Sequence, residues 1–349
     1  MSERDKNNPE PLKPLYDPVA GHAPAALVTG PTGAIGRVVC RELVQSGYRV
    51  LGLTRNEDQQ ARLPYAVVPV LGDIRDPGRW GAAITRADVV IHAAIPAAPK
   101  GPKDRAYAAR EAEELAAIAE GIATAVRKKK KRLIVTSSAL VFEPNKDGWV
   151  TEASGYSEGK GYGIRQRRIY RAVQNHRKKG LKAIVMCPAF VYGPGGWFEK
   201  SMLEPMSRGE SRMIGEGNQT MHYAEGSDVG RAYRLAIEHG VDGDDYLIGD
   251  DKPSTHGAFT RLVAREMGAP APVSVPEEDL IPVMGEWGLE AMVTCPKIDS
   301  TRARERLGWT PQYKTIEEGV PVVVRDYKWR REISPELEPY RLVQHRSWT

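Results

Sequence analysis

The eight residues TGPTGAIG, at positions 29–36, carry the strongest local pattern in this sequence. They lie between AALVTG, an apolar run typical of a buried strand, and VVCRELVQSG, whose apolar residues recur with the period of an amphipathic helix ending at Gly47. Three glycines allow a tight turn, close approach of the backbone to a ligand and close packing of helix on strand. The free N–H groups of the helix then favour phosphate. We predict a dinucleotide-binding loop, formed by Gly30, Thr32, Gly33, Ala34, Ile35 and Gly36.

The end of the second predicted strand, YRVLGLT, indicates which dinucleotide binds. An acidic residue there would accept the ribose hydroxyls of NAD. Here Thr54 is followed by Arg55, and Arg37 directly follows the third glycine of the loop. An uncharged residue with two guanidinium groups suits a 2′-phosphate. We predict NADP(H) as the cofactor, with the alternative that Arg55 is an ordinary exposed arginine.

Further apolar runs of strand length follow along the chain as AVVPVLGD, ADVVIHAA, RLIVTSS and KAIVMCP. Helical patterns separate several of them, most clearly at 106–128 and 163–179. Apolar strands that alternate with helices predict a parallel sheet covered on both faces. The predicted fold class is therefore α/β, a Rossmann-type doubly wound parallel sheet with a smaller C-terminal substrate-binding lobe.

Changes in composition and apolar periodicity along the chain also predict domain boundaries. Residues 1–23 are rich in proline and lack apolar periodicity, which predicts a disordered or draped tail. After about residue 190 the pattern changes to loops rich in glycine and proline with short helices such as 258–267. We predict a nucleotide-binding domain over 24–190 and a substrate lobe over 191–335, interleaved with the last sheet strands. A C-terminal tail would follow over 336–349.

Composition excludes several classes of function. The chain has 349 residues, of which 41% are hydrophobic and 27% charged, and its net charge of +5 does not indicate nucleic-acid binding. The basic run RKKKKR at 127–132 is interpreted as a solvated helix end and turn. Cys40, Cys187 and Cys295 have neither disulfide-framework nor metal-ligand spacing, so we expect no metal. No membrane-length apolar run or signal peptide is present, and we expect a cytoplasmic protein that does not bind membranes.

The ordered motifs of the chain together resemble the extended short-chain dehydrogenase/reductase superfamily, in its NAD-dependent epimerase/dehydratase and dihydroflavonol-reductase-like branch. Besides the glycine loop, they are GDIRD at 72–76, DVVIHAA at 88–94, VTSSALVF at 135–142, CPAFVYGPG at 187–195 and ARERLGWTP at 303–311. The resemblance implies that Asp73 and Ile74 border the adenine and that Ala93 and Ala94 line the middle of the cofactor. It also implies that the stretch from Pro188 to Val191 flanks the nicotinamide, and that the chain forms a homodimer through helices 106–128 and 163–179.

Catalysis in this family uses a serine, a tyrosine and a lysine four residues after the tyrosine. The family serine corresponds to Ser138. Tyr162 lies 24 residues after it, as in extended members, whereas Tyr156 lies only 18 residues after it and has glycines on both sides of its helical turn. We therefore favour Tyr162 as the proton donor. Tyr156 with Lys160 remains an alternative, as does a site without tyrosine chemistry.

The choice of Tyr162 places Gln166 at the lysine position. A neutral amide can hydrogen-bond a ribose but cannot stabilise a phenolate. Lys160 or Arg165 could supply the missing charge. A second departure agrees with the first, because ELAAI at 114–118 lacks the asparagine that the family often carries on its long helix.

The substrate region departs from the pattern of enzymes that act on nucleotide sugars. In GEGNQTMHY at 215–223, Met221 stands where those enzymes usually carry an arginine for the diphosphate. His222 is interpreted as a loop or packing residue, with a catalytic base as the alternative. Nearby apolar side chains would form either core or a hydrophobic pocket. They are Phe190, Trp197, Phe198, Met202, Met206 and Met213. The favoured hypothesis is an NADP(H)-dependent reductase of a hydrophobic carbonyl compound. The alternatives are a nucleotide-sugar epimerase or dehydratase and an NADP(H)-binding sensor or scaffold.

Overall fold

The computed structural model describes residues 23–96, 105–157 and 162–333. The strands are β1 (Ala25–Thr29), β2 (Arg49–Thr54), β3 (Val67–Leu71), β4 (Val89–His92), β5 (Arg132–Thr136), β6 (Trp149–Val150), β7 (Ala183–Pro188), β8 (Phe190–Tyr192), β9 (Arg212–Ile214), β10 (Thr220–Met221), β11 (Tyr223–Glu225), β12 (Asp245–Ile248), β13 (Ser254–Thr255), β14 (Val273–Val275) and β15 (Lys297–Ile298). The helices are α1 (Ala34–Gln45), α2 (Glu57–Ala61), α3 (Gly81–Arg86), α4 (Arg105–Lys128), α5 (Tyr162–Arg177), α6 (Gly196–Phe198), α7 (Glu204–Ser207), α8 (Gly226–His239), α9 (His256–Met267), α10 (Glu277–Val293), α11 (Thr301–Leu307) and α12 (Ile316–Ile333).

A parallel sheet forms the centre of the described residues, with its seven strands in the order β12-β7-β5-β4-β1-β2-β3. Leu27 of β1 pairs with Leu51 of β2 on one side and with Val90 of β4 on the other. The chain reverses its direction of winding between β1 and β4. In doubly wound folds this switch point opens a crevice at the carboxyl ends of the strands, where ligands bind. The predicted Rossmann-type fold is confirmed.

Helices cover the sheet, and the sequence of the strands explains why. Every residue of β1, β4 and β7 is buried, as expected for apolar strands covered on both faces. Helix α1 packs beside α8, and α4 packs beside α5. At the end of α1, Gly47 adopts a φ of 83°, a left-handed conformation in which glycine ends the helix without steric cost.

A second hydrophobic cluster lies beyond the carboxyl end of the sheet and forms the core of the smaller lobe. Tyr223 and Phe259 stack at its centre with ring centroids 4.2 Å apart. The chain leaves this lobe as α8 and β12, which return to the main sheet, and then re-enters it with α9. The lobe is therefore interleaved with the last elements of the sheet, so that the two cores share a boundary.

The remaining predictions concern the two tails, membrane-spanning helices, metal binding and the homodimer. Most of the predicted tails, at 1–22 and 336–349, lies outside the described residues. None of the described helices combines the length and apolar character that crossing a membrane requires. Within the same residues, no group of three or more histidine, cysteine or acidic side chains is arranged to hold a metal ion. The homodimer stays a prediction.

Candidate active site

The loop between β1 and α1 is shaped by its glycines. Gly30 has a φ of 69°, and a Cβ atom on Gly36 would lie 2.0 Å from the carbonyl oxygen of Gly30. A Cβ atom on Gly30 would lie 2.8 Å from Cα of Ala94, so the loop also packs tightly against the end of β4. The N–H of Gly33 donates to the Gly30 carbonyl at 3.0 Å, and α1 begins at the next residue. This cradle fits the phosphates of a dinucleotide.

A cavity of about 920 Å³ extends from this loop along the carboxyl ends of β4, β5 and β7 into the smaller lobe. Many of the residues predicted from the sequence meet in its wall. They are Ala34, Ile35, Ala93, Ala94, Ser138, Gln166, Pro188 and Val191. The switch-point crevice and the predicted site therefore coincide.

Ser138 occupies the turn that follows β5. Its Oγ accepts a hydrogen bond from the N–H of Leu140 at 3.2 Å and so caps the short 3₁₀ turn Ala139–Val141. That bond uses a lone pair and leaves the hydroxyl hydrogen for a further acceptor. Because Ser138 lines the cavity, its hydroxyl is available to a carbonyl oxygen bound there.

Gln166 lies on the second turn of α5, and its side chain is buried in the cavity wall. Tyr162 is the first residue of α5, but its side chain, like the whole of Lys160, lies outside the described residues. Arg165 pairs with Glu111 of α4 at 2.9 Å, with both side chains about nine-tenths buried. It does not line the cavity, so it stabilises the contact between the helices instead of providing the missing cation.

Tyr156 faces a different environment. Its hydroxyl lies 3.0 Å from that of Tyr170, which in turn hydrogen-bonds to Asp245. Its ring stacks on Phe142, and the residue does not line the cavity. Burial and the nearby Asp245 raise the pKa of Tyr170 far above its usual value. This network holds Tyr156 away from a substrate in the cavity.

The adenosine end of the predicted site contains two residues of interest after β2. Thr54 is buried, and its hydroxyl donates to the carbonyl of Val70 at 3.4 Å. Arg55 follows it and is exposed. The guanidinium of Arg37 donates to the carbonyl of Thr32 at 3.4 Å, and its Nε lies 3.4 Å from the position that a Cβ atom on Gly195 would take. The NADP(H) prediction rests on both guanidinium groups, and Arg55 is the one directly after the second strand.

Asp73 and Ile74, which the resemblance assigns to the adenine, follow the end of β3. The carboxylate of Asp73 accepts from the N–H of Arg75 at 2.8 Å and pairs with its guanidinium at 3.3 Å. Ile74 is buried in the main core. These contacts fix the turn that borders the end of the strand.

Two histidines in the cavity wall were not predicted. His92 ends β4, with Nδ1 2.8 Å from the hydroxyl of Thr29, and His256 begins α9. Burial lowers the pKa of each to about 4, so both are neutral at pH 7. His92 could have been suspected from its position at the end of an apolar strand. His256 could not, because only the packing of the lobe brings it to the cavity.

Apolar side chains of the smaller lobe form the far wall. Phe190, Trp197, Met202, Met206 and Met213 line the cavity, whereas Phe198 is part of the core. Phe190 and Trp197 pack edge to face with centroids 5.2 Å apart. This wall suits an apolar ligand.

The stretch that grips a diphosphate in related enzymes has a structural role here. Met221 is fully buried in the core of the lobe. Nδ1 of His222 accepts from the N–H of Ile298 at 2.8 Å, so Nε2 carries the proton and donates to the carbonyl of Asp250 at 3.0 Å. Nε2 also lies 3.1 Å from the carboxylate of Asp250, so both ring nitrogens contact other parts of the chain, and the packing role of His222 stays a prediction.

Comparisons with known proteins test the family resemblance. The sequence profile of the NAD dependent epimerase/dehydratase family matches residues 26–249, which is more than half of the chain. An uncharacterized protein of Saccharomyces cerevisiae is 27% identical over 298 residues, covering 82% of this chain and 94% of its own. A 2-alkyl-3-oxoalkanoate reductase of Shewanella oneidensis is 22% identical over 271 residues, covering 73% of this chain and 69% of the reductase.

Among solved structures, a UDP-glucose 4-epimerase of Thermotoga maritima with UDP-glucose is 26% identical and superposes with a TM-score of 0.73. The match covers 87% of this chain and 99% of that one. The motif order, the sheet with its glycine loop and the profile match lead to one conclusion: the chain belongs to the NAD-dependent epimerase/dehydratase family of extended short-chain dehydrogenases/reductases.

Proposed function

We propose that this protein is an NADP(H)-dependent reductase of a carbonyl group on a hydrophobic small molecule. One observation carries the proposal: a single cavity joins the glycine loop, Ser138 and Gln166 to a wall of aromatic and methionine side chains. A dinucleotide bound on the loop and an apolar substrate bound in the lobe would then share this cavity. When bound, the cofactor supplies a hydride from its nicotinamide ring.

The protein's own residues would handle the carbonyl oxygen. Ser138 donates its hydroxyl hydrogen and so stabilises the charge that develops on that oxygen. Tyr162 delivers the proton as general acid. Gln166 holds a ribose hydroxyl with its amide, and its neutral side chain brings no charge that would stabilise a phenolate. Reduction requires the protonated phenol, because the carbonyl oxygen must receive a proton as the hydride arrives.

Comparisons support the class of reaction more than the substrate. The reductase from Shewanella oneidensis is a relative whose name describes reduction of an oxo acid. The epimerase of Thermotoga maritima favours the competing candidate, a nucleotide-sugar epimerase or dehydratase. Against that candidate stands buried Met221, where the diphosphate arginine would lie. The third candidate is a sensor or scaffold that binds NADP(H) without turnover.

Cofactor consumption separates the three candidates. The purified protein is incubated with NADPH and a panel of apolar ketones, aldehydes and unsaturated carbonyl compounds, and absorbance at the reduced nicotinamide band is followed. We expect steady oxidation of NADPH with at least one apolar carbonyl compound. Interconversion of UDP-glucose without net cofactor loss would overturn the reductase in favour of the epimerase. Tight NADPH binding with no turnover of any compound would favour the sensor.

A further inference from the structure

We propose that the substrate carries a carboxylate, which Lys200 binds at the lobe wall of the cavity, so that the enzyme acts on an amphiphilic oxo acid. The inference rests on the proposed function and adds the second polar group of the substrate. It depends on the charges in the cavity wall, on the unusual turn that presents Lys200, and on the apolar surface around that turn.

Charge in the cavity wall is almost entirely neutralised except at Lys200. His92 and His256 are neutral at pH 7, and the other two charged residues that line the cavity, Glu210 and Arg212, pair with each other at 3.6 Å. Lys200 lines the same cavity, and its ammonium group makes no hydrogen bond or ion pair with any other residue in the described parts of the chain. An unpaired cation beside apolar surface is a binding site for an anion.

The turn that carries Lys200 is held in place by buried contacts. Glu199–Leu203 forms a π-helical turn, a rare geometry that is frequent at functional sites. The carboxylate of Glu199 accepts from the N–H of Gly195 at 2.7 Å and from the guanidinium of Arg330 at 3.1 Å. Because Glu199 is paired in this way, it does not neutralise the neighbouring Lys200. The contacts of Glu199 therefore fix the backbone of the turn, and the exposed side chain of Lys200 extends from it beside the cavity.

The surroundings of the turn indicate a carboxylate on an apolar body. Its next two residues, Ser201 and Met202, also line the cavity, and Met206 and Met213 continue the same wall. A nucleotide diphosphate would need more positive charge than one lysine offers, and the residue at the arginine position is buried Met221. A singly charged acid with an alkyl or aryl chain matches one cation and this apolar wall.

The test compares an acid with its neutral amide. Octanoate and octanamide are titrated calorimetrically into the NADP⁺-saturated protein, in the wild type and in Lys200→Gln. We expect the wild type to bind octanoate more tightly than octanamide. The variant should lose about tenfold in octanoate affinity, the scale of one charge-assisted contact, and keep its octanamide affinity within about twofold. Added salt should weaken only the octanoate complex of the wild type.

Lys182→Gln is the matched control, because Lys182 is exposed and precedes β7 at the amino end of the strand, whereas the cavity lies at the carboxyl ends. It should change neither affinity.

An equal loss of acid and amide binding in Lys200→Gln, or no binding of either probe to the wild type, would overturn the proposal. So would a loss confined to NADP⁺ affinity, or Lys200-dependent binding of inorganic pyrophosphate that exceeds octanoate binding. Turnover of neutral ketones without acid selectivity would refute this inference while leaving the reductase intact. Lys200-dependent selectivity for the acid without any NADPH oxidation would refute the reductase and leave the carboxylate site intact.

Discussion

At the scale of single residues, the proton donor is the group on which the chemistry depends most. Replacing Tyr162 by phenylalanine removes the acid and should lower kcat by about 10²- to 10⁴-fold, with cofactor affinity little changed. Tyr156→Phe should keep most of the activity, because its hydroxyl is bonded to that of Tyr170 and the residue does not line the cavity. Steady-state NADPH oxidation measures both variants.

Thermal unfolding of the two tyrosine variants provides the control. Tyr156→Phe breaks a partly buried hydrogen bond and should cost about 1 kcal/mol of stability, whereas its kinetic parameters stay near those of the wild type. An inactive Tyr156→Phe protein that binds NADPH normally, beside a fully active Tyr162→Phe protein, would show that the catalytic tyrosine has been misassigned.

Cofactor choice is also decided by one side chain. Arg55→Ala should raise the Kd for NADPH by about 10- to 100-fold and leave the Kd for NADH nearly unchanged, because only NADPH has the phosphate that a guanidinium binds. Arg49→Ala is the control, since Arg49 is exposed at the other end of the same strand. Calorimetric titration measures the four affinities. Equal effects of Arg55→Ala on both cofactors would assign Arg55 to the general surface.

At the scale of elements, the turn between β1 and α1 is the most tightly constrained part of the site. In Gly36→Ala the new methyl group would lie 2.0 Å from the carbonyl oxygen of Gly30, so the turn must open. We expect loss of cofactor binding by at least about tenfold and lower thermal stability. Gly81→Ala, where no heavy atom lies within 4 Å of the added carbon, should change neither property. A Gly36→Ala protein that binds NADPH with wild-type affinity would contradict the cradle.

The same elements show why much of the fold could be predicted. Regular apolar periodicity predicted helices at 106–128, 163–179 and 258–267, and the structure has them at Arg105–Lys128, Tyr162–Arg177 and His256–Met267. The basic run was interpreted correctly as the end of α4 and the turn before β5. These features are local, because a run of adjacent residues determines periodicity, glycine turns and helix ends.

Site residues that depend on tertiary packing were harder to predict. Ser138 and Gln166 could be found because they follow motifs in a fixed order. Nothing adjacent to His256 or Lys200 indicates that both reach one cavity, since the path of the lobe brings them there. Arg37 was predicted beside Arg55 from its position after the glycine loop. The side-chain direction that takes it to Thr32 and Gly195 is not encoded in spacing.

At the scale of the whole molecule, the cavity lies at the boundary between two hydrophobic cores. The main core packs against the sheet and the second fills the lobe. Phe190 packs against the second cluster and Ser138 follows a strand of the main core, so the cavity is lined from both sides of this boundary. Placing a site at this boundary has a consequence for stability, because polar groups such as His256 become buried without a full set of partners. Its Nδ1 has no hydrogen-bond partner among the described residues.

Burial of His256 makes stability depend on pH in a predictable direction. Its pKa is lowered from 6.5 to about 4 in the folded protein, so between these values the unfolded chain binds the proton more readily. Stability then falls as the pH decreases through this window, by up to roughly 3 kcal/mol for this group.

In His256→Gln, urea unfolding measured from pH 7 to pH 4 should show a shallower loss of stability than in the wild type. Buried acids whose pKa is raised, such as Asp250, act in the opposite sense in both proteins and cancel in the comparison. His239→Gln, at an exposed histidine, should reproduce the wild-type profile. If the His256→Gln and wild-type curves are parallel, the imidazole has access to water or to a proton acceptor and is not the buried neutral group that lines the cavity.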